Sequence, residues 1–161
     1  MTTTFATPKE IEVQEMLGML YDAGLSVKSG DALATEAGSK SLIALYVDDE
    51  DQPVTVCACD YNFTAFAGAA LTKIPKGGAE DAASSGDFSG AILGNLNEVM
   101  NICSRLFMNS STPHLRLDKT YNSPDEIPEG AKQILSSSAG RADFDVTIPG
   151  YGDGKLAFIS T

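Results

Sequence analysis

The segment from Ser89 to Asn109, SGAILGNLNEVMNICSRLFMN, constrains the fold more than any other stretch of the chain. Ile92, Leu93, Leu96, Val99, Met100, Cys103, Leu106 and Phe107 recur at three- and four-residue spacing, which is the stripe of a helix packed on a core. At about 100° per residue the same helix sets Gly94, Glu98, Asn101 and Arg105 in a row on its solvent side. Glu98-x-x-Asn101 therefore places a carboxylate and a carboxamide one turn apart. The plain alternative is a solvated helix face, and Asn speaks against it: it is an indifferent helix former with no local reason to sit inside an exposed helix. A carboxamide offers a donor and an acceptor, so it can fix an attacking water without taking a proton itself. A carboxylate one turn away can grip a partner's lysine.

The remaining elements follow from pattern and punctuation. Pro8 suits the first turn of a helix whose apolar residues run from Ile11 to Leu20 and which Gly24 stops. A short strand is expected near Leu25 to Lys28. Leu42 to Val47 and Val54 to Cys59 read as a β-hairpin across the acidic turn Asp48 to Pro53. Asn62 to Ile74 is a second helix, broken at Pro75-Lys-Gly-Gly78, and Ala79 to Ser85 adds a helical turn or two. After the central helix, His114 to Thr120 alternates as a half-buried strand, and Glu129 to Leu135 forms a last short helix. Arg141 to Ile148 and Lys155 to Ile159 close the chain as a second hairpin around Pro149 to Gly154. A helix followed by an apolar hairpin in each half hints at an internal duplication. These elements give an α+β fold of two layers, a mainly antiparallel sheet with packed helices, in one domain spanning 1–161.

Composition bounds the function. A formal net charge of −11 with only 11 Lys and Arg argues against nucleic acid, whose phosphates need clustered cations. No apolar run approaches the roughly 20 residues of a membrane span, so no membrane association is expected. The N-terminal stretch has neither a basic start nor an apolar core, which makes a cytoplasmic location the expectation. Cys57, Cys59 and Cys103 read as reduced core thiols. With His114 they offer too few ligands at suitable spacing for a metal site, and no metal is expected. His114 has no Ser or Cys partner that the sequence ties to it, and Gly150-Tyr-Gly-Asp-Gly154 lies between strands, as a turn does. An unrelated ligand near Asp60 and Tyr61 has no positive support.

Glu98, Asn101 and Pro124, the last following Asn101 after 22 intervening residues, match the signature of the CheC/CheX/FliY chemotaxis phosphatases. The chain resembles this family, and its CheX-like members most. The family's acidic or Ser residue four positions before the Glu is Gly94 in this chain. Members with two sites carry a second Glu-x-x-Asn on the first helix; Glu12-Val-Gln-Glu15 and Glu15-Met-Leu-Gly18 stand there, as in a single-site member. The resemblance implies hydrolysis of the aspartyl phosphate on a response-regulator receiver, which supplies its own phosphorylated Asp, Mg²⁺ and Lys. Asn101 would orient the water and Glu98 would hold the receiver's Lys. Gly94, Asn97 and Arg105 are the candidate partner contacts beside them. No cofactor of the chain's own is implied, and Mg²⁺ is expected on the receiver. The family's habit of pairing subunits through sheet edges implies a homodimer, with the edge taken from Arg141 to Ile148. A non-catalytic module of the same fold, docking a receiver or another signalling partner, is the alternative.

Overall fold

The computed structural model describes residues 5–137 and 140–160. In chain order the elements are α1 (Glu10–Gly18), β1 (Ser26–Ser29), β2 (Ser41–Asp48), β3 (Pro53–Asp60), α2 (Tyr61–Leu71), α3 (Lys76–Ser85), α4 (Gly90–Cys103), β4 (Leu115–Tyr121), α5 (Glu129–Ser137), β5 (Gly140–Ile148) and β6 (Gly152–Ser160). Short 3₁₀ turns at Ser104–Phe107 and Pro124–Glu126 complete them.

The two apolar hairpins meet through β3 and β6 and set the order of a six-stranded sheet, β1-β5-β6-β3-β2-β4, with every pairing antiparallel. Alternation divides the side chains between its faces. Leu42, Ala44, Tyr46, Cys57, Cys59, Phe144, Val146, Leu156 and Phe158 join a core with residues of α1, α2, α3 and α4. Ile43, Leu45, Val56, Ala58, Ala157 and Ile159 form a second cluster with Leu33, Ile127 and the α5 residues Ala131 and Ile134. Strand β2 is covered on both sides, which is why Leu42 to Val47 reads as an unbroken apolar run. The α+β arrangement of helices on an antiparallel sheet is the expected one, with α5 as an addition on the far face. Each hairpin follows a helix, α1 packing on one face and α5 on the other.

Several boundaries differ from the sequence reading. Helix α1 stops at Gly18, six positions before Gly24, and the chain turns so that Tyr21 enters the core and donates its hydroxyl to Ala67 O at 2.9 Å. Helix α3 is a full ten residues, because only Pro75 breaks the chain and Gly77 and Gly78 fit within its first turn; Gly86, at φ +74°, ends it. The central segment is not one continuous α-helix. It tightens to 3₁₀ at Ser104, which places Arg105 and Phe107 on the tightened turn.

The strand Arg141 to Ile148 was the expected free edge, and it is interior. Ser26–Ser29 pair with Phe144–Thr147, and beyond them Gly30 N donates to Asp143 O at 3.0 Å. Asp143 Oδ2 then accepts from Leu33 N at 2.8 Å while Arg141 Nη2 donates to Leu33 O at 2.6 Å. A four-residue strand and a loop pinned by this half-buried pair thus cover β5. The sheet's edges are β1 and β4. Strand β4 carries a bulge at Asp118, since Tyr46 faces Leu117 and Leu45 faces Lys119. Short strands and bulges are means of blunting an edge.

Among the described residues no helix is long and apolar enough to cross a membrane.

Candidate functional site

Helix α4 begins where Ser89 Oγ accepts from Ile92 N at 3.2 Å, an N-cap that satisfies one of the free first-turn amides. Ile92, Leu96, Val99, Met100 and Cys103 are buried. The helix lies so close on α2 that a Cβ on Gly68 would come 2.6 Å from Ile92 O. Asn95 ties the same contact, donating from Nδ2 to Gly68 O at 2.9 Å and to Thr72 Oγ1 at 2.8 Å.

The C-terminal end is held from inside the core. Tyr46 OH donates to Met100 O at 2.6 Å, and Ser104 Oγ donates to Asn101 O at 2.6 Å. Burial holds the Tyr46 hydroxyl well above the usual phenol range, so it stays a donor. Ser104 N turns back to Asn101 O, and the helix tightens there. The carbonyls of Met100 and Asn101 are therefore both tethered.

The outer side of this clamped helix is open. Gly94, Asn97, Glu98, Asn101 and Arg105 are all exposed, with Val99, Met100, Cys103 and Phe107 buried beneath them. Among the described residues the side chains of Glu98 and Asn101 make no hydrogen bond or ion pair, and Arg105 has no carboxylate partner. The other two arginines are paired, Arg116 with Asp51 and Arg141 with Asp143. Asn97 is engaged: its Oδ1 accepts from Thr120 Oγ1 at 3.0 Å, which joins α4 to the end of β4. Chemically the row offers a carboxylate for a partner's ammonium, a carboxamide for a water, and a cation beyond them. It carries no hydroxyl or thiol.

Pro124 lies off this helix. It is buried and opens the 3₁₀ turn after β4, where Ser123 Oγ caps Asp125 N at 3.1 Å. It also lines a cavity of about 440 Å³ with Thr35, Ile127 and Leu135. The strand before it, β4, is tied to α4 by Thr120 to Asn97, and the connection between them to α2 by Tyr61 OH to Asn122 O at 3.0 Å. Gly94 has no atom within 4 Å of where a Cβ would stand and has no positive φ, so internal packing does not require glycine there.

The other constellations are structural. All three cysteines are free and buried, and burial pushes the Cys57 and Cys59 thiols up, away from the reactive thiolate. His114 lies exposed with Nδ1 3.0 Å from Asp49 Oδ1. Gly150 and Gly152, both at positive φ, shape the turn of the closing hairpin. Asp60 caps α2, accepting from Phe63 N at 2.8 Å and from Lys155 N at 3.1 Å; burial nevertheless raises its carboxyl above the usual range. It borders a polar cleft of about 550 Å³ with Asn62, Asp145, Asp153 and Lys155. Among the described residues no three His, Cys, Asp or Glu side chains gather as a metal site would require.

This fold has counterparts among solved structures. FliY from Thermotoga maritima superposes with a TM-score of 0.58 at 12% identity, over 94% of this chain and 89% of that one. FliM of H. pylori, in its complex with SpeE, gives a TM-score of 0.58 at 8% identity, over 94% and 78%. In its complex with FliG the same protein gives 0.51 at 10% identity, over 94% and 83%. No protein-family model matches the chain, and no curated protein matches its sequence. The chain has the fold of FliY and FliM, as the resemblance of its sequence to the CheC/CheX/FliY family implies.

Proposed function

We propose that this protein docks on a response-regulator receiver and accelerates hydrolysis of its aspartyl phosphate. The observation that carries this reading is the exposed pair Glu98 and Asn101, one turn apart and unengaged on a helix fixed from both ends. The receiver brings the phosphorylated Asp, Mg²⁺ and Lys, so the docking protein contributes position: Asn101 orients the in-line water and Glu98 holds the receiver's Lys. Gly94, Asn97 and Arg105 line the contact around them. The fold of FliY supports the reading; the FliM complexes with FliG and SpeE favour a second one, in which the same face only binds a partner. Decay of a phosphorylated receiver with and without the protein separates the two, since pure docking leaves the decay rate unchanged.

Gly94 sharpens the first reading. A Cβ at position 94 meets nothing within 4 Å, and Asp is a slightly better helix former than Gly, so stability in Gly94→Asp is expected to hold within about 0.5 kcal/mol. Receiver binding is expected to weaken, through bulk and through repulsion from Glu98 one turn on. Thermal unfolding and a binding titration read the two effects separately. A faster dephosphorylation in Gly94→Asp would instead mark the glycine as a lost catalytic contact, and unchanged affinity and rate would move the docking face elsewhere.

In this reading the protein is also a homodimer, paired through β1 or β4 because β5 is interior. Strict monomer behaviour in light scattering at high concentration would remove that part.

A further inference from the structure

Asn97 stands beside Glu98 and one turn before Asn101, on the open face of α4. Its carboxamide oxygen is already committed. Thr120 Oγ1, half-buried on β4 opposite Ala44, donates to Asn97 Oδ1 at 3.0 Å. With Oδ1 accepting from Thr120, the NH₂ is the amide's outward donor, and neither of its hydrogens is bonded among the described residues. The bond to Thr120 also removes rotamer freedom before any partner arrives, which lowers the cost of binding. Asn97 thus differs from Glu98 and Asn101, which make no side-chain bonds among the described residues: it is a donor set in advance.

We propose that Asn97 is a specificity-determining contact, its Nδ2 hydrogens donating to a carboxylate or backbone carbonyl oxygen at the mouth of the receiver's phosphorylation site, with Thr120 as its positioning residue. This rests on the reading above. The chemistry fits a strongly acidic protein approaching an acidic pocket: a neutral donor meets the partner's oxygens without a cation's desolvation cost. Glu98 and Asn97 then face the receiver as neighbouring acceptor and donor, a pattern that fixes register as well as contact.

The test compares the parent chain, Asn97→Asp, Thr120→Val and Thr120→Ser on a chemotaxis-type receiver phosphorylated with acetyl phosphate in Mg²⁺, with KM and kcat measured apart. Asn97→Asp keeps the oxygen that Thr120 bonds and exchanges the outward donor for a charged acceptor. It is expected to raise KM about tenfold or more, far beyond any fall in kcat. Thr120→Val is expected to raise KM several-fold by releasing the amide, and Thr120→Ser to restore it, which a merely structural threonine would not explain. An unchanged KM in both Asn97→Asp and Thr120→Val, with an active parent, overturns the proposal and leaves the phosphatase reading standing. A fall in kcat at constant KM overturns it too, since Asn97 would then act at the phosphoryl group. A parent that leaves the receiver's decay unchanged ends the phosphatase reading and this proposal together.

Discussion

Asn101→Ala is expected to lose most of the acceleration of receiver dephosphorylation, by about 10²–10³, the scale for removing one positioned polar group. Binding of the phosphorylated receiver should survive. The two effects are separable because the Asn101 side chain is exposed and touches no partner on its own chain, so truncation leaves the core unaltered. Its backbone is placed independently by Ser104 Oγ on Asn101 O and by Tyr46 on the preceding carbonyl. Glu98→Ala should differ in kind, weakening binding and rate together, because its proposed contact is the receiver's ammonium. Single-turnover rates with the protein in saturating excess over the phosphorylated receiver, alongside a titration, check both. Parent-like rates in the two variants would show that neither residue has the assigned role.

Gly68→Ala should do the most damage to the site for the smallest change in chemistry. The added methyl would lie 2.6 Å from Ile92 O and 2.9 Å from Ile92 Cγ2, and the first of these is backbone that cannot rotate aside. Helix α4 must therefore move off α2, straining the bonds from Asn95 to Gly68 O and Thr72 Oγ1. Overpacking of this kind costs about 1–3 kcal/mol. At this chain length each kcal/mol lowers Tm by roughly 2–8 °C. The dephosphorylation rate should fall as well, since the helix that moves carries Asn101. Gly77→Ala is the control for stability: it meets nothing within 4 Å, and it should hold or gain stability. Equal melting of Gly68→Ala and the parent would contradict the close packing of α2 on α4.

The sequence made the helix and its polar row legible because both depend on spacing alone. The stripe from Ile92 to Cys103 and the row from Gly94 to Arg105 follow from the helical period, and the hairpins follow from apolar runs between turn residues. What fixes the row was not legible. Tyr46 reads as one more apolar residue of β2, and its spacing does not show that its hydroxyl reaches Met100 O on α4. Gly68 reads as a weak point in a helix, although its missing side chain is what lets α4 approach. Asn95 carried a faint signal, a polar residue just before the buried Leu96. Strand β5 looked like an edge because nothing in the sequence pairs it with the short strand expected near Leu25 to Lys28, which lies at Ser26–Ser29 alongside it. Thr120 reaches Asn97 beyond a bulge that no periodicity encodes.

The most direct test of the central claim is the decay of aspartyl phosphate on chemotaxis-type receivers, followed by phosphate release in Mg²⁺ with no protein, with the parent chain, and with Asn101→Ala. The expected result is a faster decay with the parent that reverts nearly to the unassisted rate with Asn101→Ala, at concentrations where a titration shows both bound. Identical decay in all three, with binding saturated, would contradict it and leave the exposed face of α4 as a docking surface without chemistry.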